Sequence, residues 1–175
     1  LNSRFPLIDW LRGVAILLMV IYHFCYDLYF FDYWQTAFGK GYWVPFRYVI
    51  VILFLSLVGV SLVLAHGEGI RWSGFWKRSG QLLIACTFVT ASSYIIAPNK
   101  ITLFGILHFI LVASLFALPF LKRPKFALAV GIACLVIGHS VYVDWFESVW
   151  LHWIGLMEQR RPALDYVPIF PWFGM

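Results

Sequence analysis

Apolar residues run along this chain in five stretches of helical length, separated by short clusters of Pro, Gly, Asn, Lys and Arg. These runs predict helices at roughly 8–30, 44–65, 80–97, 102–121 and 126–143, with a sixth opening near Pro168. A bilayer core is crossed by about 20 predominantly apolar residues, and the runs approach or exceed that length. Pro98-Asn99 predicts a tight turn between the third and fourth helices, and Arg123-Pro124 one between the fourth and fifth. The expected fold class is all-α: a multi-pass transmembrane helical bundle of five full spans plus the start of a sixth. Residues 1–175 read as one integral-membrane domain, and a chain that opens at Leu1 and stops inside an apolar run reads as a fragment truncated at both ends.

Polar residues inside the first run break its apolar character in a regular way. Arg12 and His23 lie eleven positions apart. At about 100° per residue that spacing completes three turns, so both share one helix face, roughly 16 Å apart along the axis. Asp9 precedes Arg12 by three positions and Asp27 follows His23 by four, extending the stripe at both ends. Four ionisable groups along a spanning helix are costly in lipid, so they must face protein or water, and such positions mark function.

Composition agrees with a membrane setting: 62% of residues are hydrophobic and 12% charged, with a mean hydropathy of +0.84. Cys25, Cys86 and Cys134 fall in apolar runs with unrelated spacing, which offers neither a disulfide framework nor a metal signature. The net charge of +5 is spread over the segments between spans, which argues for a topology signal rather than a nucleic-acid partner. Arg4, Arg12, Arg71, Lys77, Arg78, Lys122, Arg123 and Lys125 fall on one side; Lys40, Arg47, Lys100, Arg160 and Arg161 fall on the other. The richer side is cytoplasmic by the positive-inside rule, which puts the N-terminus inside and the chain in the cell (inner) membrane.

That orientation sets Arg12 near the cytoplasmic face and His23, Asp27 and His108 near the outer one. The longest polar segment, 144–167, is then expected outside, with Trp145–Leu156 forming a helix in the interface. His66 and His152 read as loop and interface residues, and His139 as a packing residue near the end of the fifth span. Arg160 and Arg161 read either as a solvated pair or as holders of a polar acceptor.

An imidazole with an ordinary pKa near 6.5 can take and return a proton near neutrality, which suits His23 to general-base work. Asp27, one turn away, is placed to orient that ring. Arg12 offers a fixed fork of donors for a phosphate, and Asp9 is placed to hold Arg12 when no ligand is bound.

The run Ile8-Asp9-Trp10-Leu11-Arg12-Gly13-Val14-Ala15 through Met19 to His23, followed by Tyr26-Asp27-Leu28, resembles the bacterial relatives of heparan-α-glucosaminide N-acetyltransferase. Arg-x10-His is also the hallmark of the broader membrane acyltransferase-3 proteins, which modify surface sugars. Phe104-Gly105-Ile106-Leu107-His108 resembles a second family motif, and Asp165-Tyr166, Pro168 and Pro171-Trp172-Phe173-Gly174 a third. The resemblance covers nearly the whole chain. It implies transfer of an acyl group, usually acetyl, from cytoplasmic acyl-CoA to a glycan or other small acceptor on the far side of the bilayer, without a metal. On that analogy His23 is the outer general base, with Asp27 and His108 beside it, and Arg12 with Asp9 lies toward the acyl-CoA entrance. The animal enzyme carries asparagine in the place of His23 and its proposed catalytic histidine in the following loop. Here the loop from Phe31 to Trp43 holds no histidine, so the role falls to His23 or is shared with His108.

Two other readings use the same residues. A multi-pass transporter or lipid flippase would line a polar path with Asp9, Arg12, His23 and Asp27. A b-type cytochrome would use His23 and His108 as axial ligands on facing helices. For the acyltransferase, the first and fourth helices are expected to be adjacent, with Gly13, Ala15 and Gly105 allowing close approach.

Overall fold

The computed structural model describes residues 5–67, 69–158 and 163–175, so Arg4, Arg160 and Arg161 lie outside it. Its helices are α1 (Pro6–Phe30), α2 (Trp43–His66), α3 (Trp72–Ile96), α4 (Ile106–Ala117) and α5 (Pro124–Ser140), with no strand among the described residues. Helices α1, α2 and α3 are long and apolar enough to cross a membrane, whereas α4 and α5 are shorter. The chain is an all-helical membrane protein. At 1.5 Å per residue the 12 residues of α4 rise only about 18 Å, well short of a ~30 Å hydrocarbon core. The described chain falls into two compact units, Leu1–Val60 and Ser61–Met175.

In the first unit, α1 opens with Pro6 at its first helical position, where a missing N–H is not needed. It ends in a Schellman turn: Asp32 takes φ +61°, its N–H donates to Tyr29 O, and the Tyr33 N–H donates to Leu28 O. The loop that follows folds back through its aromatics. Phe38 and Trp43 are buried and stack with centroids 4.0 Å apart. Tyr22 and Tyr26 of α1 meet Phe38 edge-on, at 5.8 and 5.4 Å. Trp43 Nε1–H donates to Thr36 Oγ1 at 3.1 Å, so the indole has its polar handle satisfied.

In the second unit, the C-terminal end of α2 is closed by the turn that follows it. The Arg71 N–H donates to His66 Nδ1, and Arg71 Nε–H donates to Ala65 O. His66, expected in an open loop, is therefore a buried closing residue packed against Phe75. Helix α3 begins at Trp72 rather than near residue 80. Trp72, Phe75 and Trp76 recur at helical spacing, and Phe75 is buried, which carries the helix through a stretch whose Lys77 and Arg78 read as loop.

The larger correction concerns 141–168. No helix forms over Trp145–Leu156; only the short turn Asp144–Glu147 is helical there. The Val143 N–H pairs with Leu156 O, and the Ile169 and Phe170 N–H groups pair with Trp153 O and Ile154 O. Met157 and Val167 are 2% and 1% exposed, among the most enclosed side chains of the chain. His152, expected at the interface, is buried under Tyr166, whose hydroxyl donates to His152 O at 2.7 Å. Gly155 allows this folding: its φ is +93°, and a Cβ there would strike Pro168 and Phe170 O. The expected sixth helix is represented by one turn, Ile169–Trp172, containing a cis Phe170–Pro171 bond.

Helix α5 receives that turn on glycines. A Cβ at Gly138 would fall 2.7–2.9 Å from Pro171 backbone and ring atoms, and one at Gly131 3.1 Å from Gly174 O. By contrast, a Cβ at Gly80 of α3 meets nothing within 4 Å. Gly138→Ala is therefore expected to lower the thermal midpoint of the detergent-solubilised protein. Gly80→Ala is expected to leave it unchanged or raise it, by up to about 1 kcal/mol of helix propensity. Trp43→Ala, which empties the aromatic cluster, is expected to cost about 3–5 kcal/mol in the same assay.

Candidate functional site

The stripe read from the sequence lies on one uninterrupted helix. Asp9, Arg12, His23 and Asp27 all belong to α1, and all four are exposed. Arg12 Nη1 donates to Asp9 Oδ1 at 2.8 Å, so the expected ion pair is made. A pair one turn apart holds the guanidinium along the helix rather than away from it. His23 and Asp27 are one turn apart as well, yet no hydrogen bond or ion pair joins them among the described residues. The His23 ring instead meets Tyr22 edge-on at 5.9 Å, and through Tyr22 it is backed by Phe38 and Trp43. Ala15 is fully buried, whereas Gly13 faces open space.

His108 sits in a different chemical state. It is the third residue of α4, a helix whose N-cap is Gly105. The Gly105 N–H donates to His108 Nδ1 at 3.3 Å, the backward half of a capping box. A backbone N–H can only donate, so Nδ1 carries no proton, and in the neutral ring the proton sits on Nε2. Nε2 lies 3.2 Å from Thr90 Oγ1, whose own hydrogen goes to Thr102 O at 2.8 Å. The direction of donation is thus fixed along the chain Gly105, His108, Thr90, Thr102. Both ring nitrogens are engaged, which leaves His108 no free lone pair for a haem iron.

The network continues on the other side of Thr102, which is 1% exposed. Its N–H donates to Ser93 Oγ at 3.0 Å, and Ser93 in turn donates to Thr90 O. Its hydroxyl accepts from the Asp165 N–H at 3.3 Å. Asp165 Oδ2 then accepts from the Ile106 N–H at 2.6 Å, at the first residue of α4. Glycine has no side chain to cap its own helix, and here a carboxylate from 59 residues downstream does so. The seat exists because Gly105 lacks a Cβ, which would overlap the Asp165 carboxylate and crowd the Thr102 methyl. Gly105 therefore serves a cap, not the helix–helix approach expected of it.

The second and third sequence motifs thus meet: Phe104 to His108 supplies the helix start and Asp165 its cap. Asp165 was legible as part of a motif but not as a partner of Ile106. Thr90, Ser93 and Thr102 carried a weaker signal, a density of hydroxyls in and just after an otherwise apolar run. Among the described residues, no group of three or more His, Cys, Asp and Glu side chains is placed to hold a metal ion.

Comparison with known proteins adds one finding. The family model described as heparan-alpha-glucosaminide N-acetyltransferase, catalytic, matches residues 4–175. No curated protein and no solved structure matches the chain.

The hydrogen-bond chain through His108 makes a direct prediction. Thr90→Val keeps the shape of the side chain but strands the Nε2–H donor, and a half-buried donor left unpaired costs about 1–3 kcal/mol. Thr90→Val is expected to lower the thermal midpoint, and Thr90→Ser to preserve it.

Proposed function

This chain belongs to the heparan-alpha-glucosaminide N-acetyltransferase catalytic family, and from that premise we propose that it moves an acyl group, acetyl first among them, from cytoplasmic acyl-CoA to a hydroxyl or amine of a sugar-type acceptor at the outer face. The observation that carries the reading is the single helix α1, on which the Arg12 guanidinium and the His23 imidazole lie in line. Arg12 and His23 are about 16 Å apart along that axis. Such a spacing suits a donor whose phosphates and thioester sit at opposite ends of a long arm.

In this reading Arg12, steadied by Asp9, holds phosphate oxygens of acyl-CoA near the cytoplasmic end of α1. His23 takes the proton from the acceptor hydroxyl or amine as its oxygen or nitrogen bonds to the acyl carbon. The carbon–sulfur bond breaks, and the CoA sulfur leaves as the thiol once it has gained a proton. Asp27 is one turn from His23, and a rotamer change brings its carboxylate to the ring and stabilises the charged imidazole. The exposed, unbonded ring of His23 supports it as the base. The doubly engaged ring of His108 supports a positioning role for that residue. Arg71, Lys77 and Arg78, where α2 ends and α3 begins, support an inner-membrane chain with its N-terminus in the cytoplasm.

The test is CoA release from acetyl-CoA by the purified protein in nanodiscs. His23→Ala is expected to lower turnover about 10²–10⁴-fold while the helical circular dichroism is unchanged. Arg12→Ala is expected to raise KM for acetyl-CoA more than it lowers kcat, with Arg12→Lys intermediate. Full turnover by His23→Ala would remove it from the base position.

A further inference from the structure

The polar network of the second unit assigns a task to a residue that the reaction above does not use. Helix α4 begins with donors that no preceding turn can satisfy. Gly105 cannot cap them itself, so two side chains share the work: His108 accepts from the Gly105 N–H, and Asp165 accepts from the Ile106 N–H. The two donors are adjacent along the backbone, and each acceptor depends on the first turn staying where the other holds it. Asp165 is itself tied to the connector, because its N–H donates to the Thr102 hydroxyl, and Thr102 O receives the hydrogen of the threonine that accepts from His108.

We infer that Asp165 is a positioning residue, a helix cap supplied from the 163–168 segment that holds the His108 imidazole in its Nε2-protonated tautomer. For turnover the inference rests on the acyl-transfer reading; for the ring itself it does not. What the inference asks of it is an acceptor for the Ile106 N–H. An asparagine accepts the Ile106 N–H through its side-chain oxygen and caps as well as aspartate does. An alanine does not. Gly105→Ala reaches the same end from the other side, since the added Cβ evicts the carboxylate from its seat.

The experiment is ¹⁵N-histidine solid-state NMR of the intact protein in lipid nanodiscs, with the His108 signals assigned by their loss in His108→Gln. The wild type is expected to show one protonated Nε2 and one acceptor-type Nδ1. Asp165→Asn is expected to keep that pattern; Asp165→Ala and Gly105→Ala are each expected to lose it, and combining them should add nothing further. Turnover is expected to follow the ring: kcat falls in Asp165→Ala and Gly105→Ala in proportion to the fraction of His108 that has left the wild-type tautomer, and is kept in Asp165→Asn.

Wild-type His108 signals in Asp165→Ala would overturn the inference. So would an Asp165→Asn protein that keeps the ring pattern but loses turnover, because the charge would then be what matters. If Asp165→Ala fails to fold, Asp165→Glu takes its place, since one extra methylene carries the carboxylate past the glycine seat. A wild type without CoA release would count against acyl transfer alone, and the ring signals would still decide the role of Asp165.

Discussion

The second unit depends on one carboxylate resting against one glycine. Asp165 reaches Ile106 across 59 residues of chain, and with the Leu164, Asp165 and Val167 N–H groups on Lys100 O, Thr102 Oγ1 and Phe104 O it fastens residues 164–167 to the stretch that leads into α4. The energetic logic is that of a buried helix end. Donors at an N-terminus that meet neither water nor an acceptor cost as much as lost hydrogen bonds, and in an apolar surround no solvent makes up the loss. A glycine N-cap has no acceptor of its own, yet the missing Cβ opens the space through which a distant acceptor can enter. The same substitution-sensitive position thus creates the need and admits the remedy. Around it, Thr102, Ser93, Thr90 and His108 are satisfied in sequence, each hydroxyl or ring nitrogen passing the requirement to the next.

Apolar periodicity carried the helices because bulk hydrophobicity decides whether a segment is helical and membrane-bound. The turn at Pro98 and the helix start at Pro124 were legible for a related reason, since proline fixes backbone geometry locally. Periodicity failed wherever a particular tertiary contact overrode it. Residues 102–105 are apolar enough to read as helix, but Thr102 is held by Ser93 and Asp165, and α4 starts only after Gly105. Residues 72–79 are polar enough to read as loop, but Phe75 buries itself and brings the turn with it. The polar segment 144–167 failed most plainly. A helix over Trp145–Leu156 and an interfacial His152 were expected, while only Asp144–Glu147 turns and His152, Leu156, Met157 and Val167 are enclosed. No local pattern encodes that, because the pairing of 153–154 with 169–170 is a long-range agreement between two irregular stretches.

Legibility of the site divides in the same way. The stripe on α1 was readable because a helix converts spacing into direction, and the Asp9–Arg12 pair follows from that alone. The companion expectation that Asp27 holds His23 uses the same spacing, but the two side chains are not joined, because i,i+4 geometry permits a contact without selecting the rotamers that make it. The aromatic shell behind Tyr22 was not readable at all. Tyr, Phe and Trp in a membrane chain serve lipid belts and protein cores alike, and only the fold assigns Phe38 and Trp43 to a core.

The two histidines share an intrinsic chemistry and differ in what their lone pairs are doing. A general base must offer an uncommitted lone pair at the moment a proton is to be moved. At His108 that lone pair lies on Nδ1 and already accepts the Gly105 N–H, while the opposite nitrogen spends its proton on Thr90. Freeing either would unpair a backbone amide or a hydroxyl in a half-buried site. His23 has the opposite balance: an exposed ring, one aromatic edge contact through Tyr22, and a carboxylate one turn away that is not spent on another described partner in hydrogen bonding. Within one chain, hydrogen-bond saturation separates an imidazole whose two nitrogens are both engaged from one whose ring makes an aromatic edge contact alone among the described residues, and the acyl-transfer proposal assigns the base to the second on that ground.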